Sequence, residues 1–195
     1  NNTAVGISAL TSNTDGTLNN AVGSDCMALN TTGSYNVAVG SLALYSNTTA
    51  SNNTAVGYRA LDACTEGGAN TAVGKDALGD LTTGSENVGV GWTAGGDITT
   101  ARFCTAVGRQ ALRMNTTTEY LTAVGYSAAR SCTGETMAAF GTHAAYSNTS
   151  GVSNTAIGAY SLYSCTTANR NTALGHRAGF GYTGSENIFI GNEAG

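Results

Sequence analysis

The stretch NTAVGYRAL, residues 53–61, is followed by DACTEGGA, residues 62–69, and restarts as NTAVG at residues 70–74. The same restart runs down the whole chain. With the glycine of each unit as anchor, Gly6, Gly23, Gly40, Gly57, Gly74, Gly91, Gly108, Gly125, Gly141, Gly158, Gly175 and Gly191 are separated by 17 residues nine times and by 16 twice. A fixed period of this length marks a repeat architecture in which each unit stacks on its neighbours.

Aligned on the anchor, the chain resolves into columns. The residue before it is large and apolar throughout: Val5, Val22, Val39, Val56, Val73, Val90, Val107 and Val124, then Phe140, Ile157, Leu174 and Ile190. Two before it stands Ala, except at Gly89 and Phe189, and four before it stands Asn in nine of twelve units. Three after it Ala returns, except at Cys26 and Ser161. Eight after it comes Thr in all eleven complete units, including Thr48, Thr65 and Thr82. Val, Thr, Asn and Gly are mediocre or poor helix formers, so a helical repeat is excluded. A short NTAV strand ended by glycine, an xxAL segment and an NTTGS turn describe one coil of a β-solenoid.

The expected fold is therefore all-β: a repetitive parallel β-solenoid, or β-roll, of about eleven 17-residue coils forming a single array over residues 1–195. At roughly 4.8 Å per coil the rod is on the order of 50 Å long. Gly57 and Gly74 are expected at a corner where a side chain would strike the next coil or φ is positive. Ala55 and Ala60 are small because backbone layers approach there. The Thr column, and Asn13, Asn30, Asn47, Asn115 and Asn148 one residue before it, are expected to carry hydrogen bonds from coil to coil. Both 16-residue units lose their residue in the turn after the Thr, where loops absorb deletions. Alternation along the strand sends Val one way and Ala the other, so both faces are apolar, as in sheets covered on both sides. The outward Val column then has to meet another chain, and threefold parallel association is the preferred arrangement.

The units NTAVGYRALDACTEGGA and NNTAVGISAL, with the closing TGSENIFIGNEAG, resemble the repeat arrays of bacteriophage tail-fibre and fibre-like surface proteins. The NTAVG and NTAIG units are also similar to the head repeats of trimeric autotransporter adhesins. The resemblance covers essentially the whole chain. It implies a homotrimeric β-roll used as a shaft or binding head outside the cell, on a cell surface or virion, and a segment of a longer fibrous protein. The unit departs from the adhesin head repeat in being longer, and no self-cleaving chaperone domain or membrane anchor is visible in the sequence.

Composition narrows the function classes. The chain has 27 glycines, no proline, 10% charged residues and a formal net charge of -4. Its eight Lys and Arg residues are scattered, which argues against nucleic-acid binding. No apolar run reaches the roughly 20 residues of a spanning helix, so no membrane insertion is expected. No catalytic group, cofactor or metal site is expected either. His143 and His176 fall at variable positions just past an anchor and read as solvent-facing. Asp25, Asp62, Asp76, Asp80, Asp97, Glu66, Glu86, Glu119 and Glu135 fall on different coils without calcium-loop spacing and read as solvated surface. Cys64, Cys132 and Cys165 share the column otherwise held by Asn. Together with Cys26 and Cys104 they read as small, semi-buried replacements, too far apart for an intrachain bridge and without CxxC spacing for zinc.

Aromatics offer the candidate contacts. Tyr58, Trp92 and Tyr126 share the column just after the anchor, and Tyr45, Tyr146, Tyr163 and Phe180 share the column five after it. Such rows suit stacking on the rings of a cell-surface glycan, against the plainer reading of packing between chains. Trp92 lies in the unit that departs most from the pattern, with Gly95 and Gly96 at usual apolar positions, which predicts a local groove. The function this supports is a non-enzymatic structural or adhesive fibre segment, its partners being copies of itself and a surface glycan. The alternatives are a monomeric solenoid polymerising end to end into an extracellular filament and, from the Thr column, an ice- or crystal-binding solenoid. Polysaccharide cleavage ranks last, because no acid pair recurs within one coil neighbourhood.

Overall fold

The computed structural model describes residues 1–195 and contains no helix. Twelve short strands, one per anchor, make up the regular structure. They are β1 (Thr3–Val5), β2 (Asn20–Val22), β3 (Val37–Val39), β4 (Thr54–Val56), β5 (Thr71–Val73), β6 (Val88–Val90), β7 (Thr105–Val107), β8 (Leu121–Val124), β9 (Met137–Phe140), β10 (Thr155–Ile157), β11 (Thr172–Leu174) and β12 (Ile188–Ile190). They form one parallel sheet in chain order. Pairing is in register by one period: Thr54 faces Thr71, Ala55 faces Ala72 and Val56 faces Val73. The chain is thus the β-solenoid that its period describes, one turn per unit.

The anchor glycines are required on two grounds. Gly57 and Gly74 have φ of +132° and +133°, and a Cβ on either would lie 2.6 Å from the carbonyl oxygen of the next anchor. Beyond the corner the chain does not extend again. The second and fourth residues past each anchor, and the residue five before the next anchor, are left-handed, and most are not glycine: Arg59 (φ 54°), Leu61 (54°) and Ala69 (57°) in one coil, with even the β-branched Thr93 at 52°. A left-handed residue costs about 1–2 kcal/mol in isolation, so the neighbouring coils must hold these corners in place. They do so through backbone pairing. Leu61 N–H donates to Ala77 O, Ala63 N–H to Gly79 O, and Arg59 N–H to Ser41 O in the coil behind.

The core is thin and made of ladders. The Ala columns two before and three after the anchor are sealed, as at Ala55, Ala60, Ala72 and Ala77, and the Leu column lies against them. The Asn column four before the anchor is equally buried and runs through the interior. Asn70 Nδ2 donates to Gly84 O at 3.0 Å, while Asn70 Oδ1 accepts the backbone N–H of Asn87 at 2.9 Å. This repeats from Asn19 to Asn87. The Asn column before the Thr forms a shorter ladder, Asn47 to Asn30 to Asn13, at 2.6 Å per step. Asn148, isolated between Cys132 and Cys165, has no partner for either amide atom, so the coil-to-coil reading does not extend to it. Thr hydroxyls bond the next coil as expected, with Thr48 Oγ1 to Thr65 O at 3.2 Å and Thr82 Oγ1 to Thr99 O at 3.1 Å.

The cysteines are more deeply placed than the sequence suggested. All five are free and fully enclosed rather than semi-buried, since each of the three columns they occupy points inward. Burial pushes the thiols of Cys26, Cys64, Cys104 and Cys132 up to about 11.

Candidate functional site

The fold leaves four surfaces to weigh. The first is the outer face of the sheet. The Ala two before the anchor points inward in β2 to β5 and β7 to β11, with Gly89 in its place in β6 and Phe189 in β12, and the residue on each side of it points out. The result is a double row, the column three before the anchor, Thr or Val in nine of twelve coils, running beside the column before the anchor. Val5, Val22, Val39 and Val73 are 57, 40, 40 and 37% exposed, Ile157 is 40% exposed, and Val56, Val90, Val107 and Val124 are half-buried. An apolar column of this continuity is uncommon on an isolated chain.

The second surface begins at the glycine corner. Tyr58, Trp92 and Tyr126 stand outward, 47, 44 and 41% exposed. Lys75 and Arg109 fill the places between them. Lys75 Nζ lies 5.9 Å from the ring centres of both Tyr58 and Trp92, and the Arg109 guanidinium lies 4.3 Å from Trp92 and 5.7 Å from Tyr126. Five successive coils therefore alternate ring and cation at one 17-residue spacing, and the structure adds that each cation lies within reach of the rings beside it.

Further along the same flank, two columns of rings merge. Tyr146, Tyr163 and Phe180 stack at 5.4 and 5.1 Å, nearly parallel. His143 stacks on Tyr160 at 5.2 Å and meets Tyr126 and Tyr146 edge-on at 5.0 and 5.1 Å. The expectation of a solvent-facing His143 is therefore corrected: the ring is half-buried among tyrosines and its Nδ1 has no partner. Burial pulls its pKa below the ordinary 6.5. His176 remains exposed and faces Asn192 Oδ1 at 3.1 Å.

The expected groove near Trp92 takes a different form. The space vacated at Gly95 is occupied by the side chains of Leu78 and Ile98, which would meet a Cβ there at 2.8 and 2.9 Å. Gly96 does border a cleft of about 210 Å³, but its walls are Arg59, Asp76, Asp80, Thr93, Asp97 and Arg113, and Trp92 is not among them. Acids that fall on different coils are thus gathered, because columns two, five and six past the anchor share one flank. Arg59 Nε pairs with Asp62 at 2.8 Å, and Arg113 lies 3.8 Å from Asp97. Burial raises the pKa of Asp62 against the pull of Arg59, and that of Asp97 against Arg113. With cations interleaved, the cluster reads as an ion-pair network.

The fourth surface lies where the repeat fails. The Asn column is replaced by Cys104, Leu121 and Met137 in three successive coils, and the turn after Thr133 is one residue short. Glu119 and Glu135 each stand six before an anchor, Gly125 and Gly141, one coil apart. Beside the shortened turn opens a notch of about 360 Å³. Its upper wall is Tyr120, 59% exposed, whose ring stacks on Phe103 at 5.2 Å with an interplanar angle of 11°. The chain matches no protein-family model, no curated protein and no solved structure.

Proposed function

We propose that this chain is a non-enzymatic segment of an extracellular fibre, on a cell surface or virion, whose rods associate side by side in threes through the outer face of the sheet and present the aromatic flank to a surface. The observation that carries the reading is the unbroken, half-exposed apolar column from Val5 to Ile190. Parallel sheets are ordinarily covered on both faces, and a coil of 17 residues has no helix with which to cover its own. A column of like residues at one strand spacing fits a parallel copy of itself. The Tyr58–Lys75–Trp92–Arg109–Tyr126 row stays on the far side of the glycine corner, where a glycan could lie along it.

Light scattering on the 195-residue chain at two concentrations tenfold apart tests the assembly. A mass three times 19.5 kDa at both, reduced to 19.5 kDa by Val56→Asp with Val90→Asp, is expected. A stable monomer at both concentrations would overturn lateral association and favour the end-to-end or surface-binding solenoid. One observation favours a second reading. Thr54, Thr71, Thr105, Thr122, Thr155 and Thr172 share the outer face with the Val column, giving a two-dimensional lattice of hydroxyls and methyls of the sort that could match an ice or mineral surface. Thermal hysteresis at millimolar protein would support it, and its absence would remove it.

A further inference from the structure

We infer that the notch at the broken repeat is a binding site for a neutral sugar ring, with Tyr120 as its stacking platform. The proposal rests on the surface-attachment reading for the source of the sugar, but it concerns a different place from the ring-and-cation row.

The notch exists because two irregularities coincide. In nine of the twelve units the residue five before the anchor is followed by Asn, whose amide, where buried, ties the turn of the next coil. At Met137 that amide is missing, as at Cys104 and Leu121, and here the turn from Thr133 is also a residue shorter. The position below Tyr120 in its own column is Thr136, a much smaller side chain, left-handed at φ 54°. Phe103 covers one face of the Tyr120 ring, and the other borders the cavity. Thr136, Met137, Ser153, Asn154 and Thr155 line the remaining walls.

This chemistry selects its ligand. An exposed flat ring with hydroxyls and a backbone-rich rim suits a pyranose, which offers an apolar C–H face to the ring and hydroxyls at its edge. The volume lies at the small end of the range for ligand sites, enough for one or two rings. No lining residue carries a charge. Ionised groups stand only in flanking positions: Glu119 and Glu135 precede Tyr120 and Thr136, Arg170 follows Ser153 one coil on and is paired with Glu186, and Arg102 lies behind Phe103, 5.0 Å from that ring. Uronic, sialic and sulfated sugars are therefore disfavoured and neutral hexoses favoured.

The 195-residue chain would be titrated with maltotetraose, cellotetraose and chitotetraose, with a sulfated oligosaccharide as contrast, by saturation-transfer NMR and calorimetry. At least one neutral tetrasaccharide should bind. Tyr120→Ala should weaken it roughly tenfold or more and Tyr120→Phe should retain it, since the platform needs the ring and not the hydroxyl. Tyr35→Ala removes an equally exposed tyrosine of the same column, 58% exposed, away from the notch, and should change nothing. Failure of all neutral tetrasaccharides at millimolar concentration would overturn the proposal, as would binding that survives Tyr120→Ala. In the latter case the attachment reading stands and only the place is wrong. Loss of the threefold mass on Tyr120→Ala would also overturn it, by showing that a second copy covers the notch.

Discussion

The coils from Asn19 to Asn87 and those from Cys104 to Met137 share one backbone path and fill its interior in opposite ways. In the first, each Asn amide donates to a turn carbonyl of the next coil, as Asn53 Nδ2 does to Gly67 O at 2.9 Å, and accepts the backbone N–H of the next Asn. The interior is a polar wire whose every link needs its neighbour. In the second, Cys104 ends the amide wire: its N–H donates to Asn87 Oδ1 at 3.0 Å and its Sγ reaches Thr118 O at 3.3 Å, and in place of an amide oxygen it offers only the weak acceptor Sγ, which Asn115 Nδ2 approaches at 3.8 Å. Leu121 and Met137 then face each other in the ladder, and β8 and β9 each extend to four residues. Strand pairing has taken over what the amides did. The lesson is that the solenoid needs the interior column to be internally consistent rather than polar, and that the surface changes where the two regimes meet.

The comparison breaks most sharply at the middle of the wire. Asn70→Leu leaves Gly84 O and the Asn87 N–H unpartnered in the interior and should cost about 3 kcal/mol or more, read as a fall in the chemical denaturation midpoint. A cost below about 1 kcal/mol would show the amides to be incidental. The reverse graft should cost less: Leu121→Asn buries an amide between Cys104 and Met137 with no carbonyl set to meet it, for about 2–3 kcal/mol. Met137→Asn, one coil from Asn154, should cost less again, because the Asn154 N–H gains an acceptor; equal costs for the two would argue against ladder coupling.

Titration sharpens the contrast further. The buried thiols hold their protons more tightly folded than unfolded, from an ordinary 9.0 up to about 11 at Cys104 and Cys132. The stability they contribute is complete below pH 9 and is lost as pH rises toward 11. Cys104→Ala with Cys132→Ala should flatten that loss, and a thiol reagent at pH 8 should label neither residue until the chain unfolds. The smallest effect lies at His143. Its folded pKa is depressed, so the stability linked to it is present above 6.5 and falls as the solution is acidified below it. Amide protection factors around residues 143–163, referred to the intrinsic exchange rate at each pH, should fall modestly on acidification in the native chain and not in His143→Phe.

The sequence carried the period, and with it strand order, register and the direction of the Val column, because a ladder repeats its residue type at each step. Gly57 was legible for the same reason: only glycine survives at a corner that strikes its neighbour. The left-handed positions left no such mark. Arg59, Leu61 and Thr93 adopt them because neighbouring coils hold them there, and residue type says little about a conformation imposed from outside. The gathering of Asp76, Asp97 and Arg113, and the enclosure of His143, depend on which columns share a flank, a matter of coil cross-section. The short turn after Thr133 was visible as a missing residue, but the notch it opens is set by the small Thr136 beneath Tyr120.

Each coil spends 17 residues to advance the rod by one strand spacing, about 4.8 Å, so the chain gains roughly 0.3 Å of reach per residue. An α-helix gains about 1.5 Å per residue. The distance crossed by all twelve strands could be spanned by a helix of roughly 35 residues. A solenoid is thus a poor way to cover distance and a generous way to make flank: what the extra chain supplies is ruled area, with side chains held in rows at one fixed interval, on which a single irregular unit stands out as a feature.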